Sequence, residues 1–172
     1  MAMKNEQRRM TLRGYLLPLT VGDAPDNFVC LFTQNQVVEI LEPRFMSQIP
    51  GSPDYLKGVV LYQGSLLPVI DLDELCGRHR AVRGREYRQL VVVRTGTVDP
   101  ETGAPLKAVV AAKDRVRIAR ISGQELAATF QQREVPPALN KTGLVRGCFR
   151  GESDSVALLD LGPLVRGAYA TA

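Results

Sequence analysis

Gly58-Val59-Val60-Leu61-Tyr62-Gln63-Gly64-Ser65-Leu66-Leu67-Pro68-Val69-Ile70-Asp71-Leu72-Asp73-Glu74-Leu75 is the stretch on which the fold turns. Val59 to Tyr62 is a β-prone run, Gly64-Ser65 signals a turn, and Leu66 to Ile70 is a second apolar run, so the segment predicts a hairpin. Asp71 can accept from free backbone N–H groups, and Glu74 three residues on can reach back as in a capping box. The second strand is therefore expected to enter a short helical turn over Leu72 to Leu75, stopped by Gly77.

Gly147 to Leu164 repeats this pattern. Gly58 to Asp71 and Gly147 to Asp160 both span 13 residues (71 − 58 and 160 − 147). At an offset of 89, Val60 aligns with Phe149, Leu67 with Val156, Asp71-Leu72 with Asp160-Leu161 and Leu75 with Leu164. Upstream, Cys30-Leu31 followed by Val37 is echoed by Val109-Val110 followed by Val116 at an offset of 79, and a longer connection over Ile121 to Pro137 absorbs the difference. Two related β-units follow, far too few for a solenoid.

The remaining elements are read from alternation and breakers. Tyr15 to Val21 is a first strand, at an edge or bulge because of Pro18. Phe28 to Phe32 and Gln36 to Leu41 are expected to pair, and Pro43 to Tyr55 is an irregular link. Gln89 to Arg94 pairs with Lys107 to Ala112 around a loop at Thr95 to Pro105, and Val116 to Ile121 is a further strand. Ser122 with Glu125 predicts a capping box and a helix over Gly123 to Gln132, ended by Pro136-Pro137. Many short strands and little helix mean an all-β barrel or sandwich.

A chain of 172 residues forms one domain, or two small units sharing a core, that buries about 70% of its unfolded surface. Its 45% hydrophobic and 23% charged content is that of an ordinary soluble protein, and 22 basic against 18 acidic residues leave a net charge of only +4. Met1 to Arg13 is polar and basic, unlike a signal peptide, and no apolar run is long enough to span a membrane. Cys30, Cys76 and Cys148 are odd in number and widely spaced, which suits a reducing cytoplasm and small buried hydrophobes.

The search for chemistry gives little. Cys76 and His79 could form half of a metal site, but no second pair stands at finger spacing. His79 is the single histidine, and neither a Gly-x-Ser-x-Gly elbow nor a glycine-rich phosphate loop is present. Asp71 and Asp160 could be paired acids; their equivalent places in the repeat favour two caps. No catalytic residue, cofactor or metal ligand is assigned. Arg78 to Arg88 carries five arginines and reads first as a solvated loop; the sharper alternative is a nucleic-acid contact, for which the single aromatic Tyr87 is a poor stacking platform.

The pattern resembles the CheW-like family, adaptors of bacterial chemosensory arrays. The likeness rests on Val37-Val38-Glu39-Ile40, on Pro53-x-Tyr55-Leu56-x-Gly58-Val59 through Gly64-x-Leu66-Leu67-Pro68-Val69-Ile70-Asp71-Leu72, and on Lys113-Asp114-Arg115-Val116 with Leu158-Leu159-Asp160-Leu161. It implies two pseudo-symmetric five-stranded Src-homology-3-like barrels sharing a core over residues 15–165. The first barrel lies mainly in residues 15–80 and the second mainly in 89–165, with strand exchange between them and tails at 1–14 and 166–172. It also implies a cytoplasmic, non-enzymatic scaffold that binds the regulatory domain of a CheA-type histidine kinase and the tip of a methyl-accepting chemoreceptor, with no nucleic acid. The expected partner-binding residues are Val37, Glu39, Gly58, Tyr62, Gln63 and Gly64, with Tyr62 and Gln63 exposed at the hairpin bend. Gln63 stands where the family usually has arginine, Lys113 replaces an apolar residue, and the C-terminal helix is short or missing. These departures fit a divergent member, such as one serving a twitching pathway.

Overall fold

The computed structural model describes residues 11–22, 24–77, 86–122, 131–151 and 153–166. Both tails beyond these bounds, most of the arginine-rich segment (78–85, with His79), and 123–130 of the expected helix lie outside the described residues. In chain order the elements are β1 (Thr11–Leu19), β2 (Phe28–Thr33), β3 (Val37–Leu41), β4 (Leu56–Tyr62), β5 (Ser65–Ile70), α1 (Leu72–Leu75), β6 (Gln89–Val98), β7 (Pro105–Ala112), β8 (Arg117–Ser122), β9 (Gln131–Gln132), α2 (Pro137–Asn140), β10 (Val145–Arg150), β11 (Ser155–Leu159) and α3 (Gly162–Val165).

Two mixed sheets result, one ordered β8-β1-β2-β11-β10-β9 and the other β3-β6-β7-β5-β4. Setting aside the short β9, replacing β1, β2, β8, β11 and β10 by β6, β7, β3, β5 and β4 turns the first order into the second. Each Src-homology-3-like barrel thus takes its leading hairpin from one repeat and its other three strands from the opposite repeat. The exchange is made at two parallel joins, Val69 and Ile70 beside Val109 and Val110, and Ser155 to Ala157 beside Phe28 to Cys30. Each sheet thus draws most of its strands from one of the segments 15–80 and 89–165 and one exchanged hairpin from the other. β1 and β2 stand with β8 to β11, and β6 and β7 stand with β3 to β5.

Period-two alternation then distributes the apolar side chains. In β6, Leu90 and Val92 point into the β3–β7 barrel, whereas Val91 and Val93 point into the core between the barrels; in β7, Val109 and Ala111 go one way and Ala108, Val110 and Ala112 the other. All nine are buried, as strands covered on both faces require. The shared core adds Leu17, Phe28, Cys30 and Phe32 from β1 and β2 and Ile70, Leu72 and Cys76 from β5 and α1. The three cysteines are free and buried, in keeping with their reading as small hydrophobes.

Several boundaries differ from expectation. β2 and β3 do not pair: β2 lies between β1 and β11, and β3 pairs with β6. Alternation marks both as strands, but the short turn between them, tied by Gln36 accepting from the Thr33 N–H, redirects the chain into the other sheet. β1 begins at Thr11, because β8 extends it through Thr11↔Ser122 to Leu16↔Arg117. Pro18 falls just past that pairing, where no hydrogen is needed from its nitrogen. The expected loop at Thr95 to Pro105 shrinks to 99–104, closed by Asp99 accepting from the N–H groups of Glu101 and Thr102. Gln131–Gln132, expected to end a helix, is strand β9 against β10. Pro137 opens α2 rather than closing a helix, since proline is pre-set for a first turn.

Gly58 shows how tightly the 43–55 link is held. Ser47 bridges Val59 through two backbone bonds of 2.8 and 2.9 Å, and Gly58 adopts φ +135, with a Cβ there falling 2.2 Å from the Ser47 carbonyl oxygen. The glycine is a requirement of close backbone approach. Gly58→Ala should therefore lower unfolding stability by about 3 kcal/mol or more, measured by urea denaturation; a loss under about 0.5 kcal/mol would show that the link is not held against β4.

Candidate protein-docking site

The β4–β5 hairpin closes with Gln63 and Gly64 at φ +49 and +80, the two positive values that a type I′ turn demands. Both residues are exposed. Tyr62, expected to be exposed, is not: it is 5% exposed and packs inside the β3–β7 barrel. The alternation that sends Val60 inward sends Tyr62 inward as well. Its hydroxyl donates to Glu39 Oε2 at 2.7 Å, and Lys107 Nζ lies 5.9 Å from its ring centroid. The Glu39 hydrogen bond, burial and the Glu39 charge together raise the Tyr62 pKa. β3 and β4 are the two edges of their sheet, so this bond ties the edges together at the rim of the barrel.

Glu39 is itself exposed. A register shift between Val37 and Glu39 marks a bulge in β3. In consequence Val37 and Ile40 both pack on the shared core, while Val38 and Leu41 face the barrel interior. Simple alternation puts residues three apart on opposite faces, and the extra residue of the bulge cancels it here. Glu39, Tyr62, Gln63 and Gly64 thus come together at one rim. Val37 turns to the core, and buried Gly58 lies four residues back along β4 against Ser47.

Sequence reasoning missed a second polar centre. Asp71, 1% exposed, caps α1 by accepting from the N–H groups of Asp73 and Glu74 at 3.0 and 3.2 Å. The expected reciprocal bond from Glu74 is replaced by a Lys57 ion pair at 3.5 Å, and the Asp71 N–H goes to the Tyr55 carbonyl. The other carboxylate oxygen of Asp71 takes Lys113 Nζ at 2.8 Å and the Tyr87 hydroxyl at 2.9 Å. Lys113 also reaches Asp73 at 3.3 Å, and Asp73 accepts from the Thr20 N–H at 2.7 Å. A chain of bonds therefore runs from β1 in one sheet through α1 to the ends of β6 and β7 in the other. Burial works against the Lys113 ammonium, but the two carboxylates outweigh it and raise its pKa; burial first, then the Asp71 charge, also raises that of Tyr87. The signal available in sequence was Lys113 itself, a charge directly following the five apolar residues Ala108 to Ala112.

This network floors a groove of about 590 Å³ between the end of β1, the 24–29 segment, α1, Lys113 and Arg117. Asp160 occupies the equivalent place at the end of β11, accepting from the Gly162 N–H at 2.9 Å and held by Arg146, whose hydrogen bond lowers its pKa. Each of the two aspartates thus serves a backbone turn, in a different sheet. Cys76, buried beside this network, has its thiol pushed up to about 12 by burial and then by the Asp73 and Asp71 charges. Among the described residues, no three His, Cys, Asp or Glu side chains are grouped to hold a metal, and no helix is long and apolar enough to cross a membrane. His79 and most of the arginine-rich alternative site lie outside the described residues.

A CheW-like domain model matches residues 26–168. The chain belongs to the CheW-like family. Among solved structures, the scaffolding protein TtCheW from Thermoanaerobacter tengcongensis superposes on 90% of this chain and 92% of its own, with a TM-score of 0.63 at 17% identity. That likeness shows the shared two-barrel fold. A comparison with curated protein sequences gives no match. Within the CheW-like domain, Lys113 is the residue with most at stake in the polar centre. Lys113→Met would leave Asp71 buried without its cation and should cost about 3 kcal/mol at neutral pH, read by urea unfolding. The Lys113 pKa stands above its ordinary 10.5, so its contribution is complete below that pH and lost as pH rises through the folded value. The stability gap between the two proteins should accordingly close in strong alkali; a constant gap would assign the loss to packing.

Proposed function

We propose that this CheW-like chain is a non-enzymatic adaptor that couples methyl-accepting chemoreceptors to a CheA-type histidine kinase, acting in the cytoplasm beside membrane receptor arrays. The observation that carries the reading is the convergence of Glu39, Tyr62, Gln63 and Gly64 on one barrel rim within a CheW-like domain covering 26–168. A closed rim tied by Tyr62 and Glu39 holds its exposed groups in place before a partner arrives, which cuts the ordering cost of association. Residues 15–165 form the adaptor domain, and Val37 and Gly58 support the rim from beneath.

Calorimetric titration with the regulatory domain of a CheA-type kinase from the same organism, and with a receptor cytoplasmic fragment, tests the reading. Saturable one-to-one binding to each is expected, with little loss as salt rises, whereas phosphate-directed binding would collapse steeply. Gln63→Arg should change affinity for one of the two partners, since guanidinium adds a bidentate partner for carboxylate. Failure to bind either partner well above micromolar concentration would overturn the coupling role.

A further inference from the structure

The groove between the sheets has two walls that are held by unlike means. On one side stand α1 and Lys113, fixed by the buried Asp71. The α1 N–H groups, the Lys113 ammonium and the Tyr87 hydroxyl all converge on its carboxylate. On the other side stand Ala24, Pro25, Asp26 and Asn27, which lead into β2. Pro25, Asp26 and Asn27 are exposed, so packing does little to fix them.

This second wall is tied down from outside. Arg133, just past β9, donates from Nη1 to Asp26 Oδ2 at 2.6 Å and to the Ser155 hydroxyl. Its guanidinium lies 5.2 Å from the Phe28 ring centroid, and its backbone N–H donates to the Cys148 carbonyl at 3.0 Å. Ser155 and Cys148 are buried, so Arg133 is anchored to β10 and β11 independently of Asp26. Beside this contact the Ser155 N–H donates to the Asn27 carbonyl at 2.8 Å, next to the parallel join of Ser155 and Phe28. The equivalent connection in the other barrel, between β6 and β7, closes on itself through Asp99. The one between β1 and β2 is clasped by an arginine from another strand.

The two anchorages respond differently to salt. The Asp26 side chain is 38% exposed and that of Asp71 only 2%. Ions screen a pair at the surface and act much less on a buried one. We propose that residues 24–27 are the movable wall of the groove, held in place by the Arg133 clasp on Asp26 and released when that pair is screened. The groove then widens from one side only, while α1 and Lys113 stay where the Asp71 network sets them.

The test measures amide hydrogen exchange by nuclear magnetic resonance in the wild-type and Asp26→Ala proteins, at low and at high salt. The Ser155 N–H, bonded to Asn27, reports the movable wall. The Leu75 and Cys76 N–H groups, bonded to the Asp71 and Leu72 carbonyls, report α1. At low salt Asp26→Ala should speed exchange at Ser155 about threefold and leave Leu75 and Cys76 unchanged. High salt should speed the wild-type Ser155 exchange and close the gap between the two proteins. Arg133→Met should give the same pattern, and it takes the place of Asp26→Ala should that variant fail to fold, as judged by its unfolding midpoint. Unchanged Ser155 exchange at low salt would overturn the clasp. Equal acceleration at Ser155, Leu75 and Cys76 would overturn the one-sided wall, since the whole molecule would then be loosened. A gap that persists at high salt would overturn release by screening and assign the effect to packing.

Discussion

Two parallel strand joins, β5 beside β7 and β2 beside β11, hold the molecule together, and most other features follow from them. Because each join unites strands from opposite repeats, neither half of the chain can complete a barrel with its own strands. The strands next to the joins are covered on both faces, which explains the unbroken apolar run Leu90 to Val93. Their ends bring α1, Tyr87 and Lys113 to one place, although these residues stand far apart in sequence. The contact is non-local throughout, so loop closure must precede its reward in folding.

Burial and charge divide the work at that place. The buried valines, leucines and cysteines of the shared core supply the bulk stabilisation, each large side chain contributing roughly 1.5–3 kcal/mol. The Asp71 network adds less in net terms, because taking two charges from water offsets much of their attraction. Its role is directional. Hydrogen bonds from Thr20, Tyr87 and Lys113 to the carboxylates of α1 set where the helical turn sits between sheets, which apolar packing alone specifies poorly. The distinction matters for the groove above it, whose walls come from both sheets.

At the opposite kind of surface, the barrel rim, a single hydrogen bond has two consequences. Tyr62 to Glu39 ties the two sheet edges, so it shields strands that would otherwise invite pairing with another chain. It also fixes the position of the Glu39 carboxylate, which stands exposed at the rim. The bond thereby holds Glu39 and the turn at Gln63-Gly64 in one arrangement at the rim.

How much of this was legible beforehand can be seen residue by residue. The repeat, the hairpin at Gly58 to Ile70, the cap at Asp71 and the glycine-driven turns depend on spacing and on backbone preferences, which are local, and the sequence alone determined them; Asp160 binds the Gly162 N–H, but Leu161 holds the cap position of α3. So did the family resemblance, since it rests on the same contiguous motifs. The partner of each strand, the burial of Tyr62, the bulge that turns Val37 and Ile40 to one side, and the meeting of Lys113 with Asp71 were decided only by tertiary structure. Alternation says that a strand has two faces but not which sheet covers them, and an ion pair between residues 42 positions apart (113 − 71) leaves no periodic trace. Only when the two repeats exchange strands do these side chains acquire the neighbours that give them their roles.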